Sequence, residues 1–209
     1  MSEPPESAPR AEQIAPGIWH WSVKNSNIGG NTSASHAVAT DAGSVWIDPV
    51  RVDDADSLPA PEAIVLTSRG HQRSAWHYRD QLGVRVWAPQ GGEGYEQEPD
   101  VLYGADDELP GGLRQLPTPG FGDAKYALHR DAQGDTPAFM LVGDLLSRDA
   151  SGDLRMLPPQ FQSDPAAAHQ SLQAVAGESY QVLLIGHGGP ELEDASARVS
   201  AVAEATPAP

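Results

Sequence analysis

Three loops hold the residues whose types could do chemistry. Residues 66–75 read LTSRGHQRSA, residues 142–147 read VGDLLS, and residues 185–190 read IGHGGP. A fourth segment, residues 118–123 (TPGFGD), is a tight Pro/Gly turn. The first three follow short apolar runs, and loops at strand C-termini are where α/β-type proteins place their sites. His71 and His187 bring imidazoles, which carry protons near neutral pH and bind metals, and Asp144 brings a carboxylate. Arg69 and Arg73, beside Ser68, bring planar guanidinium forks that suit a phosphate or carboxylate ligand. Each residue also has a plainer role. His71 can be a loop imidazole bonded to the main chain. Asp144 can order the Gly143 turn, and His187 can be a solvated turn residue.

Much other chemistry is excluded. There are no cysteines, so disulfides, iron–sulfur clusters, thiolate zinc sites and a cysteine nucleophile are absent. No GxSxG elbow, P-loop or dinucleotide fingerprint occurs. Asp53, Asp54 and Asp56 lack EF-hand spacing and read as a solvated loop. With 13 Lys+Arg against 29 Asp+Glu, the net charge is −16. Such a chain has no basic footprint for nucleic acid and is repelled by anionic membrane surfaces. The N-terminal residues lack a basic region followed by an apolar run, and no stretch approaches a membrane span. The expectation is a cytoplasmic protein. Of the basic residues only Lys24 and Lys125 are lysines.

The elements that must position these loops read as short strands followed by a helix, twice over. Strands are expected at 18–23, 36–39, 44–47, 63–67, 84–87, 100–103, 113–116, 125–129, 138–142 and 181–185. The turn TDAG joins the second and third as a hairpin. Helices are expected at 72–82, stopped by Gly83, at 164–176, with Asp164-Pro165 as cap and first position, and at 190–204. Strands outnumber helices, which favours two sheets with helices outside them. The buried runs 63–67 and 181–185 are expected centrally. Residues 1–14 read as a disordered arm, 15–205 as one domain and 206–209 as a frayed tail. His20, His36, His77, His129 and His169 read as strand or helix-face residues, and the five tryptophans as core.

Taken in order, these segments resemble the metallo-β-lactamase superfamily. SVWIDPV at 44–50 resembles the strand whose Asp ends the opening hairpin. AIVLTSRGHQRSAWHYRDQLGVRVWAP at 63–89 resembles the strand, metal loop, helix and next strand. ADDELPGGLRQLPTPGF at 105–121 resembles the stretch ending in the family's TPGH. FMLVGDLL resembles the strand carrying the bridging Asp, and VLLIGHGGP the final metal loop. The resemblance spans about residues 15 to 192. It implies an α+β fold, a four-layered αβ/βα sandwich, and hydrolysis by a metal-activated water.

The departures matter as much as the matches. The family's His-X-His-X-Asp-His falls on Ser68-Arg69-Gly70-His71-Gln72-Arg73, and the His of TPGH on Phe121. Only Asp144 and His187 keep ligand types. The resemblance therefore implies an eroded dinuclear site, in a non-hydrolytic protein that binds a small anionic ligand or partner. No cofactor is expected in that case, and Ser68, Arg69 and Arg73 are the candidate ligand-binding residues. The alternative is an active hydrolase with one zinc held by His71, Asp144 and His187. Two geometric expectations follow. Asp144 and His187 should share a cleft, and Arg73, replacing a metal-binding His, should pair with Asp144.

Overall fold

The computed structural model describes residues 3–92, 94–122, 125–149 and 151–208. Met1 and Ser2 of the expected arm, Asp123 of the TPGFGD turn and Pro209 of the tail lie outside the described residues. Seven strands form the first sheet in chain order. They are β1 (Glu12–Ala15), β2 (Ile18–Asn25), β3 (Asn31–Thr40), β4 (Gly43–Ile47), β5 (Pro61–Val65), β6 (Arg85–Pro89) and β7 (Val101–Tyr103). The first four pair antiparallel, and β4 to β7 pair parallel. The second sheet contains β8 (Arg114–Pro117), β9 (Tyr126–Arg130), β10 (Phe139–Leu141) and β13 (Val182–Leu184), in the order β13-β10-β9-β8. A hairpin of β11 (Leu146–Arg148) and β12 (Leu154–Met156) stands beside them. The helices are α1 (Ala75–Leu82), α2 (Pro165–Ala176) and α3 (Ala195–Ala205).

Alternation along the strands builds the layers, because successive side chains leave opposite faces of a sheet. Val45 and Ile47 of β4 join Leu128, Phe139, Leu141 and Leu184 in the core between the sheets. Trp46 faces the other way, with Trp21, Trp76 and Tyr78, where α1 covers the first sheet. Its ring meets Tyr78 edge-on at 4.9 Å. Met140, between Phe139 and Leu141, packs with Leu172 and Val199 under α2 and α3. The order helix, sheet, sheet, helix is the expected αβ/βα sandwich. No helix among the described residues is long and apolar enough to cross a membrane.

Three expectations are corrected. The strand at 181–185 lies at an edge as β13, not centrally. It stays buried because Glu191 closes the edge, exchanging two main-chain hydrogen bonds of 2.9 Å with Leu183. That pairing keeps 190–194 out of the last helix, which begins at Ala195. The N-terminal arm is also not loose. β1 pairs with β2, and Ala8, only 2% exposed, bridges to Val52. Asp54 accepts a hydrogen bond from the Ala11 N–H at 3.1 Å, so part of the acidic run fastens this arm. The tail's Thr206 returns its N–H to the Val202 carbonyl and closes α3.

The TPG turn holds the second sheet against α2. Gly120 has φ +109°, and its carbonyl accepts the N–H of Ser163 at 2.9 Å. A Cβ there would lie 2.4 Å from the Ala168 nitrogen. Both the positive φ and the contact with backbone demand glycine. We expect Gly120→Ala to cost about 2 kcal/mol in urea melts. A change under about 0.5 kcal/mol would show that the turn and α2 shift apart freely.

A second prediction comes from the β2–β3 pair. His20 faces His36 across the strands, with Nδ1 3.2 Å from Nε2. One ring must donate and the other accept, so both cannot be protonated. Burial drives the His20 pKa down to about 4, with Glu12 opposing it. Burial also holds His36 well below the usual range, helped by the charges of His20 and Arg73. A base depressed in the native state binds fewer protons there than in the unfolded chain. Stability from this source is therefore complete above about pH 6.5 and lost as pH falls toward 4. His20 alone accounts for about 2 kcal/mol by pH 5. Melts at pH 7 and pH 5 check this, with the double variant His20→Gln/His36→Gln expected to lose less on acidification.

Candidate functional site

The site begins where β4 ends. Asp48 has φ +47°, which turns the chain out of the sheet and aims its carboxylate at the next strand's loop. Its Oδ1 accepts the Thr67 N–H at 2.8 Å, and its Oδ2 accepts the Thr67 hydroxyl at 2.6 Å. Oδ2 also receives His71 Nδ1 at 2.9 Å. The other face of His71 meets the second sheet, with Nε2 3.0 Å from Asp144 Oδ1. Both ring nitrogens thus face carboxylate oxygens, which suits an imidazolium donating both ways. Burial lowers the His71 pKa and Arg73's charge adds to that, but Asp144 and Asp48 outweigh them and leave it raised.

His187 converges on the same carboxylate. Its Nδ1 donates to the Thr32 carbonyl at 2.7 Å, and its Nε2 stands 3.0 Å from Asp144 Oδ1. The two imidazoles meet at 5.4 Å, nearly perpendicular. The two loops are tied together, since the Gly186 N–H donates to the Gly143 carbonyl at 3.0 Å. A Cβ on Gly186 would stand 3.0 Å from His71 Cε1, so the site closes only around a glycine. Asp144 and His187 do share one cleft, as expected.

The expected Arg73–Asp144 pair is not formed. Arg73 has φ +45°, and its guanidinium runs inward beneath the loops. It donates to the main-chain carbonyls of Ala34, of Asp48 at 3.0 Å and of Gly186 at 3.1 Å. Among the described residues, Asp144's ion-pair partners are Lys125, His71 and His187. Lys125 holds Oδ2 from just before β9, where it sits across a β-bridge from Ser68. Burial would raise the Asp144 pKa, but His71, His187 and Lys125 together hold it well below the usual range. Lys125 is the residue that sequence reasoning missed. Its one signal was being one of two lysines among 13 basic residues.

Ser68, Arg69, Gln72 and Phe121 do not line the large cleft. Ser68 is 2% exposed, and its hydroxyl has no hydrogen-bond partner among the described residues. Arg69 is half-buried in a 3-10 turn and does not line the large cleft. Gln72 gives its Oε1 to Trp76 Nε1 and the Glu96 N–H, away from the site. Phe121 is buried in the core under α2 and α3. Among the described residues, one group of three could hold a metal ion. One donor atom each from His71, Asp144 and His187 lies within 4.8 Å of the others. Each imidazole has its Nδ1 fixed by an acceptor, as metal-binding histidines usually do.

Beside Asp144 and His187 opens a cleft of about 710 Å³. Among the described residues, Lys24, Lys125, Arg148 and Arg155 line it, against Asp144 and Asp149. That is four of the chain's 13 basic residues and two of its 29 acidic ones, so the cleft is positive in a strongly negative protein.

A four-layered αβ/βα sandwich with His and Asp on loops at one edge of facing sheets is the metallo-hydrolase architecture. The chain belongs to the metallo-beta-lactamase superfamily, whose family model matches residues 12–206. It is similar in fold to a metallo-beta-lactamase from Pontibacter korlensis, with TM-score 0.70 and 15% identity over 94% of this chain and 99% of that one. It is also similar to the metallo-beta-lactamase FIM-1 from Pseudomonas aeruginosa in its mono-zinc form. There the TM-score is 0.69 at 18% identity, over 96% of this chain and 97% of that one. Identities this low speak for the fold alone. No similarity to a curated protein sequence was found.

Proposed function

We propose that this chain is a non-hydrolytic member of its superfamily that binds a small anion in the cleft beside Asp144. The observation that carries the reading is the partnering of Asp144. In a metal centre, divalent cations neutralise such a carboxylate. Here the Lys125 ammonium supplies positive charge from within the chain, and the His71 ring holds the other carboxylate oxygen. Arg73 adds a second fixed charge below the loops, where it raises the cost of a divalent ion. An anion entering the cleft meets Lys24 and Arg155, which have no ion pair among the described residues.

A second reading is favoured by one specific observation, the convergence of His71 Nε2, His187 Nε2 and Asp144 Oδ1. In that reading these three residues hold one divalent metal. When bound, the metal would activate a water for hydrolysis. Asp48 and the Thr32 carbonyl would orient the two imidazoles, and Lys125 would keep Asp144 bound through one oxygen.

Elemental analysis of protein purified without chelator separates the two. We expect well under one zinc per chain, and no turnover of ester, thioester, β-lactam or phosphodiester substrates after zinc is added. One tightly held zinc with turnover lost in Asp144→Asn would establish the second reading and overturn the first.

A further inference from the structure

We infer that the ligand of this cleft is an amphipathic organic anion, an oxyanion group carried on an apolar body, rather than a bare inorganic ion. The inference rests on the anion-binding reading above and goes further in naming the ligand's chemistry. Size is the first argument. A cleft of about 710 Å³ falls in the range of organic-ligand pockets, far larger than one phosphate requires.

The second argument is the arrangement of its lining. Five large hydrophobic side chains stand out as exposed among the described residues, and two of them, Ile28 and Phe161, line this one cleft. Phe161 is 61% exposed, on a 3-10 turn that also carries no buried residue. Leu157 and Pro158 continue the apolar surface beside it. An exposed aromatic ring beside further apolar side chains gains most from covering by an apolar ligand.

The third argument is which cations are available. Lys125 is committed to Asp144. Arg148 is committed to the carbonyls of Gly189, Gly152 and Pro190 and to Glu191. The Lys24 side chain, from β2, has only a hydrogen bond of 3.3 Å to the Thr32 hydroxyl, and the Arg155 side chain, from β12, has none among the described residues. Asp149 Oδ1 accepts from the Ser151 hydroxyl and N–H and from the Asp153 N–H, and Arg155 acts on that carboxylate through space without a hydrogen bond. Two uncommitted cations and an apolar wall therefore face one space. A carboxylate or phosphate ester on a hydrocarbon or aryl body satisfies both at once.

The test uses the full chain and the fluorescent aryl sulfonate anilinonaphthalenesulfonate, with displacement by octanoate, octyl phosphate, octanol and inorganic phosphate. We expect one probe bound per native chain, displaced by octanoate or octyl phosphate at concentrations where octanol and inorganic phosphate have no effect. The stronger of the two displacers identifies the head group. Phe161→Ser and the double variant Lys24→Ala/Arg155→Ala should each weaken binding roughly tenfold without lowering the melting temperature, because these side chains are exposed. If inorganic phosphate displaces as well as octyl phosphate and Phe161→Ser changes nothing, the amphipathic inference is overturned while the small-anion reading stands. If octanol displaces as well as octanoate and the double variant binds normally, both fail.

Discussion

Arg73→Ala is expected to lower the unfolding free energy by about 5 kcal/mol, the largest loss from any substitution at this site. The buried guanidinium serves three main-chain carbonyls from three places. Ala34 lies in β3, Asp48 follows β4, and Gly186 follows β13 in the other sheet. The side chain is thus a rivet between the sheets at the floor of the cleft. Alanine would remove three hydrogen bonds from a charged donor, each worth about 1.5–3 kcal/mol, and would orphan the buried Ala34 carbonyl, while the Asp48 carbonyl keeps Ser35 Oγ at 2.7 Å and the Gly186 carbonyl keeps the Ala34 N–H at 2.9 Å. It would also keep the strained positive φ with no compensating bonds. Arg73→Lys should recover only part of the loss, because one ammonium cannot span donors arranged as a fork. Urea unfolding of the three proteins measures this. A loss under about 1 kcal/mol for Arg73→Ala would mean that water enters and satisfies the carbonyls.

Lys125→Ala should have two effects of opposite kind. Stability should fall by about 3 kcal/mol, because the partly buried Asp144 loses its fixed cation. The two imidazoles still touch the carboxylate, which keeps the loss below that for Arg73. Zinc affinity should rise, by roughly tenfold or more, since removing a positive charge beside Asp144 lowers repulsion of the ion. Competition with a chromophoric zinc chelator reads the affinity, with Asp144→Asn as the variant that abolishes it. Equal and tight zinc binding by the native protein and Lys125→Ala would show that the ammonium does not stand in for a metal. The assignment of charge replacement would then fall.

The two predictions separate what Arg73 and Lys125 do, and the sequence pattern had given the pairing with Asp144 to Arg73. Aligned motifs place Cα atoms near a site, and Arg73 does start there. They do not specify φ. At +45° the chain turns, and the side chain passes under the loops instead of across the cleft. Lys125 lies 52 positions away in sequence and has no motif of its own, yet its strand runs beside Ser68. The direction of His71 was hidden for the same reason. It occupies a spacer position in the motif, but the 3-10 turn at Arg69–His71 swings its ring between two carboxylates.

Local information was enough for much of the architecture. Alternating apolar runs, the TDAG hairpin, the Asp164-Pro165 cap and the stop at Gly83 act over a few residues, so they can be read from the chain alone. The order of five motifs then identified the sandwich and the loops that meet at its edge. The residue types at Ser68, Gly70, Gln72, Arg73 and Phe121, positions where the resemblance implies ligands, were also written in the sequence. Only the tertiary structure decided that β13 is an edge strand closed by Glu191, that Lys125 pairs with Asp144, and that four of the 13 basic residues of an acidic chain gather in one cleft with Ile28 and Phe161. Each of these depends on which distant segments the packing of two sheets brings within a few ångströms. Side-chain pairing at that range is set by backbone direction and burial, which no single stretch of sequence contains.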